Sequence, residues 1–491
     1  MSRNDQPNIL VLMTDEQSPQ VSEVYGHPYV KTPNMQRLAE SGVVFDRAFT
    51  DCPLCAPARA SFMTALQVHR HEVWDNGVPL RSDIPTFAHM LTNAGYQCIL
   101  SGKMHFVGPD QLHGFERRLT PDCNYPGIVA QDWDKSCTPF PGAGTGVRLH
   151  EAGPREQSLL KSFDDEVEKQ SINFLKEYAN GTQDRPFALV SSFIAPHFPL
   201  TPSPEYFDMY KDIVTLPERR PADASPDHPA IERLRRFFNF GKIDDETLLK
   251  ARAAYFALIT ETDARIGRVL DALQQLNLTR PTVIIFVSDH GDMMGEHDLW
   301  WKSTFYEESV RIPLIFSCTD PSRFKPRRES MPVTLIDVTR TIIGLSGADD
   351  ETDDLDGMDL TPILEGRPSD PSRVVTSQYH AHGTGRSMAM AVQGKYKLVH
   401  VEGEPCRLYD LEKDSHEWYD LSENRDLREV REHLLKHATM GWPENIEEIV
   451  KTSLKKRKLI NEADKKANLS VDHLWIDVGA DRGWSWDTTK G

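Results

Sequence analysis

Three largely apolar runs, Asn8 to Met13, Phe187 to Phe193 and Thr282 to Val287, constrain the fold more than any other feature. They lack the apolar–polar alternation of a half-exposed strand. Continuous runs of this kind fit strands buried on both faces, as in a parallel sheet covered by helices. Between them lie Leu159 to Tyr178 and Glu246 to Leu276, with apolar residues at three- and four-residue spacing, the period of helices packed on such a sheet. Strands alternating with helices predict an α/β, doubly wound architecture. Ligands gather in such sheets beyond the carboxyl ends of strands. Asp15 and Asp289 stand just after the first and third runs.

Hydrophobic residues make up 39% and charged residues 26% of the 491-residue chain, a balance that excludes wholesale disorder and fibrous structure. No apolar stretch reaches the length of a bilayer span. The first residues run into the first strand without the three regions of a signal peptide, which predicts a cytoplasmic location. Seven scattered cysteines, an odd number, fit a reducing compartment better than a disulfide framework. The formal net charge of -18 argues against nucleic acid and anionic membranes as partners. An anionic substrate would need local cations or a metal to overcome that field.

The acidic, Gly- and Pro-containing segment Gly347 to Pro371 reads as a surface connection. It is expected to divide the chain into a larger unit, 1–370, which holds Asp15 and Asp289, and a smaller unit, 371–491. The second unit is expected to hold short strands in Met388 to Val401 and Arg407 to Leu411, then helices around Leu427 to Ala438 and Asn445 to Ala463. Lys455, Lys456, Arg457 and Lys458 read as a solvated helix face. Trp475, Trp484 and Trp486 in the tail predict packing on a neighbouring subunit, hence a homo-oligomer.

Cys52 and Cys55 form a CxxC pair, but no second CxxC or HxxxH follows to make a zinc site, and the pair alone does not specify redox chemistry. Cys55 also opens Cys-Ala-Pro-Ala-Arg, a Cys-x-Pro-x-Arg pattern. Asp15, Lys103-Met104-His105, His197 and Ser288-Asp289-His290-Gly291-Asp292 accompany it along the chain. Together these resemble the type I, formylglycine-dependent sulfatases. Cys52 to Met63, Ser101 to Phe115, Asp289 to His297 and the region Trp442 to Leu459 are similar to the choline-sulfatase branch of that family.

The resemblance implies an alkaline-phosphatase-like α/β sandwich with a small C-terminal antiparallel sheet. It implies that a formylglycine-generating enzyme converts Cys55 to an aldehyde, and that the protein hydrolyses a sulfate ester. In the hydrated aldehyde one hydroxyl attacks sulfur and the other drives release of sulfate. A divalent metal is expected, calcium first and magnesium or manganese as alternatives, because Asp15, Glu16, Asp289 and His290 offer hard oxygen donors and an imidazole. The family commonly has aspartate or glutamine at the second of these positions, so Glu16 is a departure. Asp15 has the alternative reading of a helix N-cap. By resemblance Arg59 holds the hydrated aldehyde, Lys103 and Lys302 bind sulfate oxygens, His105 assists proton removal and His197 faces the leaving group.

The alcohol half of the substrate stays open. Choline would need an aromatic cage and a carboxylate, whereas the segment Ser377 to Gly383 offers His380 and His382, which suit a polar or anionic leaving group. Trp133, between Asp132 and Asp134, is a candidate aromatic wall. Two alternatives remain at this level. One is a phosphonate or phosphate ester hydrolase using the same groups; the other is a catalytically silent binding protein of the same fold, with an unmodified Cys55.

Overall fold

The computed structural model describes residues 6–123, 146–241, 243–348 and 354–467. Trp133, Trp475, Trp484 and Trp486 lie outside the described residues. The main sheet contains β1 (Asn8–Asp15), β2 (Val43–Phe45), β3 (Gln97–Gly102), β4 (Arg117–Arg118), β5 (Phe187–Pro196), β6 (Thr282–Ser288), β7 (Leu314–Cys318) and β8 (Arg327–Glu329). Their order across the sheet is β8-β2-β7-β6-β1-β5-β3-β4. β7 runs antiparallel to both neighbours, β2 and β6. The other pairs are parallel.

The flanking helices include α1 (Cys55–Thr64), α2 (Leu159–Asn180), α3 (Asp245–Gln275) and α4 (Leu335–Ser346). Successive side chains of a strand point to opposite faces, and β1 shows why its run had to be apolar throughout. Ile9, Val11 and Met13 pack in one core with Phe62 of α1 and Val338 and Ile342 of α4. Leu10 and Leu12 pack in another with Phe163 and Val167 of α2 and Ile266 and Val269 of α3. The two long helices begin where short polar side chains satisfy free amides: Ser158 Oγ accepts from Lys161 N–H at 3.2 Å and Asp244 Oδ1 from Thr247 N–H at 2.8 Å.

A second, antiparallel sheet follows chain order through β9 (Val375–Tyr379), β10 (Met388–Gln393), β11 (Tyr396–Val401) and β12 (Arg407–Asp410). Met388, Met390 and Val392 join the main core from one face. Ala389 and Ala391 point the other way, towards Leu434 of α5 (Arg428–Ala438). Helix α6 (Ile446–Lys466) returns to the main core through Ile446, Val450 and Leu454. One expectation is corrected here. Lys455 and Lys456 are exposed, but Arg457 between them and Lys458 is buried against Asp75, so the basic run is not one solvated face. Among the described residues no helix is long and apolar enough to cross a membrane.

Candidate active site

Strands β1 and β6 are adjacent and in register, with Thr14 opposite Ser288. The chain therefore leaves the sheet at two neighbouring points, and Asp15-Glu16 and Asp289-His290 converge although they are far apart in sequence. Asp15 is the last residue of β1 and caps no helix, which removes that alternative. Glu16 adopts a left-handed backbone, φ 67°, a conformation that costs a non-glycine residue free energy and persists where the surroundings impose it. Here its N–H donates to Asp289 Oδ1 at 3.1 Å and its carbonyl accepts from Tyr255 Oη at 2.6 Å. α1 supplies Cys55 from its first residue and Arg59 from the next turn, on the same helix face.

Arg59 ties these parts together. Its guanidinium donates to Asp289 Oδ2 at 2.8 Å, Asp15 Oδ2 at 2.9 Å, the Lys103 carbonyl at 2.6 Å and Ser192 Oγ at 3.0 Å. Lys103 Nζ forms an ion pair with Asp15, and Lys302 Nζ pairs with Glu16 Oε2 at 2.7 Å. All these side chains are buried. Charges removed from water need close partners, and the titration behaviour follows those partners. Burial alone would raise the Asp15 carboxyl, but Lys103, His197 and Arg59 hold it well below the usual range. Burial prevails at Glu16, whose carboxyl is pushed well up despite Lys302, and at Asp289, raised despite Arg59.

Cys55 Sγ occupies the centre of the cluster. His290 Nε2 lies 3.2 Å from it and Asp15 Oδ1 3.7 Å. His290 Nδ1 is 3.0 Å from the Gly291 carbonyl, leaving Nε2 directed at sulfur. Burial would raise the thiol; Lys103, Lys302 and His290 instead bring it well below its ordinary value. His290 itself, penalised by burial but facing Asp289 and Cys55, is pushed up to about 9.

The donors fit a divalent cation. Ligand atoms of Asp15, Cys55, Asp289 and His290 lie within 4.8 Å of one another, and Asp15, Glu16 and His197 form a second such group. Glu16 Oε1 and Asp292 Oδ2 are buried with no N–H or hydroxyl donating to them, and the two carboxyls face each other, an acidic pair whose charge a cation would offset. Carboxylate oxygens with one imidazole suit calcium, magnesium or manganese rather than a thiophilic metal. Cys52 belongs to the apolar core and to neither group, so the CxxC spacing does not describe this site.

The histidines separate clearly. His197 Nε2 lies 3.4 Å from Glu16 Oε2, and its Nδ1 is 2.7 Å from the Phe198 carbonyl. Burial, with Lys302 and Lys103 nearby, lowers its pKa to about 4, so the ring is neutral without substrate. His105 hydrogen-bonds towards the Cys55 sulfur, with its Nδ1 unpartnered. His382 lies within electrostatic reach of Asp75 and Lys302, its ring tilted against Phe237 with centroids 5.2 Å apart. His380 lies instead against Trp74 and Trp442, with Nδ1 3.0 Å from Ser387 Oγ.

Sequence reasoning missed the residues that hold the reactive groups. Asp122 Oδ2 accepts the N–H groups of Met104 and His105 at 2.9 and 2.7 Å, fixing the turn between Lys103 and His105. Asp292 Oδ1 accepts from Met294 and Trp301 N–H at 2.7 and 3.2 Å, closing the loop that delivers Lys302. No local signal marks Asp122. Asp292 lies inside a segment whose pattern was visible but whose second acid had no assigned role.

The mostly parallel sheet, the acidic pairs at its strand ends and the cations around one buried sulfur define an alkaline-phosphatase-like hydrolase of anionic esters. The sequence matches the Sulfatase family over residues 7–348, and the chain belongs to that family: it is a sulfuric ester hydrolase. Residues 295–441 also match the N-sulphoglucosamine sulphohydrolase C-terminal family. The chain is similar to the choline-sulfatase of Rhizobium meliloti (strain 1021), at 35% identity over 437 residues, covering 85% of this chain and 83% of that protein. It is 29% identical over 457 residues to an arylsulfatase of Clostridium perfringens (strain 13 / Type A), covering 88% and 93% of the two. The structure of the phosphonate monoester hydrolase of Agrobacterium radiobacter shares the fold, with a TM-score of 0.69, 24% identity, and 87% and 94% of the two chains covered.

Proposed function

We propose that the chain hydrolyses the sulfate ester of a small or sugar-like alcohol, using a formylglycine made from Cys55 and a divalent cation, calcium foremost, held by Asp15, Glu16, Asp289 and His290. The observation that carries this reading is the placement of Cys55 Sγ among those ligand atoms, within 4.8 Å of the donors of Asp15, Asp289 and His290. The hydrated aldehyde would supply the nucleophilic hydroxyl and the means of releasing sulfate. The cation would acidify that hydroxyl and neutralise sulfate charge.

The remaining steps belong to this chain's own side chains. Arg59 holds the two strand-end carboxylates in position and keeps positive charge beside the nucleophile. Lys103 and Lys302, already desolvated, meet sulfate oxygens without reorganisation at the moment of reaction. His105 takes a proton from the nucleophile side. His197 gives one to the leaving oxygen; the negative charge of a bound sulfate beside it favours the protonated ring, which its cationic neighbours otherwise oppose. On the leaving-group side we place His382, which lies within electrostatic reach of Asp75 and Lys302, and Trp133 on sequence position alone; His380, expected there from sequence, packs against Trp74 and Trp442 instead. We further propose a functional boundary near residue 370, a homo-oligomer, modification by a formylglycine-generating enzyme, and a reducing cytoplasm. Cys52, Cys55, Cys98, Cys318 and Cys406, all free thiols, support the last.

The test is peptide mass spectrometry across Cys55 after co-expression with a formylglycine-generating enzyme, paired with kcat/KM on matched aryl sulfate and phosphonate esters. Aldehyde with preference for sulfate supports the reading. Only thiol in an active preparation overturns the aldehyde, and preference for phosphonate overturns the substrate class.

A further inference from the structure

We infer that Arg457 is a positioning residue for the Cys55 helix, acting from the C-terminal helix through Asp75 and Asn76. Arg457 is 4% exposed although it lies in a basic run, and its guanidinium grips Asp75 with two bonds, Nη1 to Oδ1 at 2.8 Å and Nη2 to Oδ2 at 2.7 Å. Asp75 Oδ1 also accepts Gly77 N–H at 2.8 Å, so one carboxylate fixes both ends of the turn containing Asn76. Asn76 Oδ1 in turn accepts Ala56 N–H at 2.9 Å. The residue before α1, Leu54, offers no side-chain cap.

A helix begins with amides that lack intrahelical partners, and a polar side chain at the N-cap ordinarily satisfies one. Here that acceptor is supplied from 20 residues away. It bonds the amide directly after Cys55, so the height of the turn sets where the reacting side chain enters the cluster and, one turn on, where Arg59 meets both carboxylates. A buried ion pair adds little to stability relative to apolar packing, yet fixes geometry through its two-point contact. Arg457 therefore tunes the position of Cys55 without touching substrate.

The inference rests on Cys55 being the reacting residue, but not on whether it reacts as aldehyde or thiol. The experiment is a double-mutant cycle of Arg457→Lys and Asn76→Ala, with Asn76→Asp as the conservative arm and Lys456→Ala as an exposed control. Each is read by kcat and KM on an aryl sulfate, melting temperature, and the fraction of Cys55 converted. Arg457→Lys and Asn76→Ala are each expected to lower kcat per converted site by about ten-fold or more, with KM within about two-fold. The double variant should fall no further than the worse single, Asn76→Asp should recover most of the loss, and Lys456→Ala should behave as wild type. Losses that multiply in the double variant, or a lowered melting temperature with unchanged kcat, overturn the inference. Should Arg457→Lys not fold, the Asn76 arms decide it: a kcat unchanged in Asn76→Ala is fatal. A wild-type chain that turns over with only thiol at Cys55 defeats the aldehyde reading and leaves the cycle readable.

Discussion

At the scale of single residues the site depends on how few charges are left to choose their own partners. Arg59 makes four hydrogen bonds to four groups on separate segments, which lysine, a single point of charge, cannot reproduce. Arg59→Lys should lower kcat at least about 100-fold, as loss of a preorganised charge-stabilising donor does. It should also destabilise the fold by about 3 kcal/mol, because Asp15 and Asp289 lose a buried partner; steady-state kinetics and urea unfolding measure the two. A second expectation concerns the cation. Calcium added to chelator-treated protein should raise the melting temperature, by the equivalent of about 2.7 kcal/mol at 100 times its Kd. Differential scanning calorimetry should show that shift abolished in Asp289→Ala.

At the scale of elements, capping decides which ends are firm. α4 begins with a reciprocal box between Thr334 and Asp337. Asp337 does more than cap: it accepts from Met358 N–H at 2.7 Å and takes both terminal nitrogens of Arg373, at 2.6 and 2.8 Å. One fully buried carboxylate thus joins α4 to the segment that leads into β9. Asp337→Ala should cost about 3–5 kcal/mol, the range for breaking a buried pair, seen as a lower urea midpoint. α1, with no local cap, borrows its acceptor from Asn76, and the two helices differ accordingly in how their first turns could be anticipated. Asp337 stands three residues after a threonine, a spacing legible in sequence. Asn76 has no such relation to Ala56.

At the scale of the whole molecule, burial of neutral histidines sets the acid limit. His71 accepts Val73 N–H at Nδ1 and is bonded to Ser61 at Nε2; burial lowers its pKa to about 3, as it does for His380. In the unfolded chain such rings take protons near pH 6.5, whereas in the fold they do not until far lower. The unfolded state therefore binds more protons as pH falls from about 6.5 towards 3, and stability drops through that window by up to about 1.4 kcal/mol per pH unit for each ring. Asp164 and Asp263, raised by burial to about 6, act in the opposite sense between about 4 and 6, since the folded state holds their protons longer. Replacing His71 by glutamine should flatten the acid limb by up to one proton, measured as the difference in unfolding free energy between pH 6.5 and pH 4.5.

Sequence by itself determined what short-range pattern can encode. The apolar runs at Asn8 and Thr282 became β1 and β6 because a strand covered on both faces must be apolar at nearly every position, and the three- and four-residue spacing became α2 and α3 for the matching reason on a helix. Cys55 and Arg59 were legible as a pair through the resemblance of Cys-Ala-Pro-Ala-Arg to the sulfatase pattern. Tertiary structure decided everything that depends on strand order and on contacts distant in the chain. Thr14 meets Ser288 only because β1 and β6 are neighbours in register, which brings the two acidic pairs into one site. His380 and His382, two residues apart, diverge, one into the packing of Trp74 and Trp442 and the other towards Lys302. Arg457 turned inward because a carboxylate 382 positions earlier in the chain was there to meet it. Charge and periodicity are local properties of a chain, whereas the partner of a buried charge is chosen by the fold that brings it near.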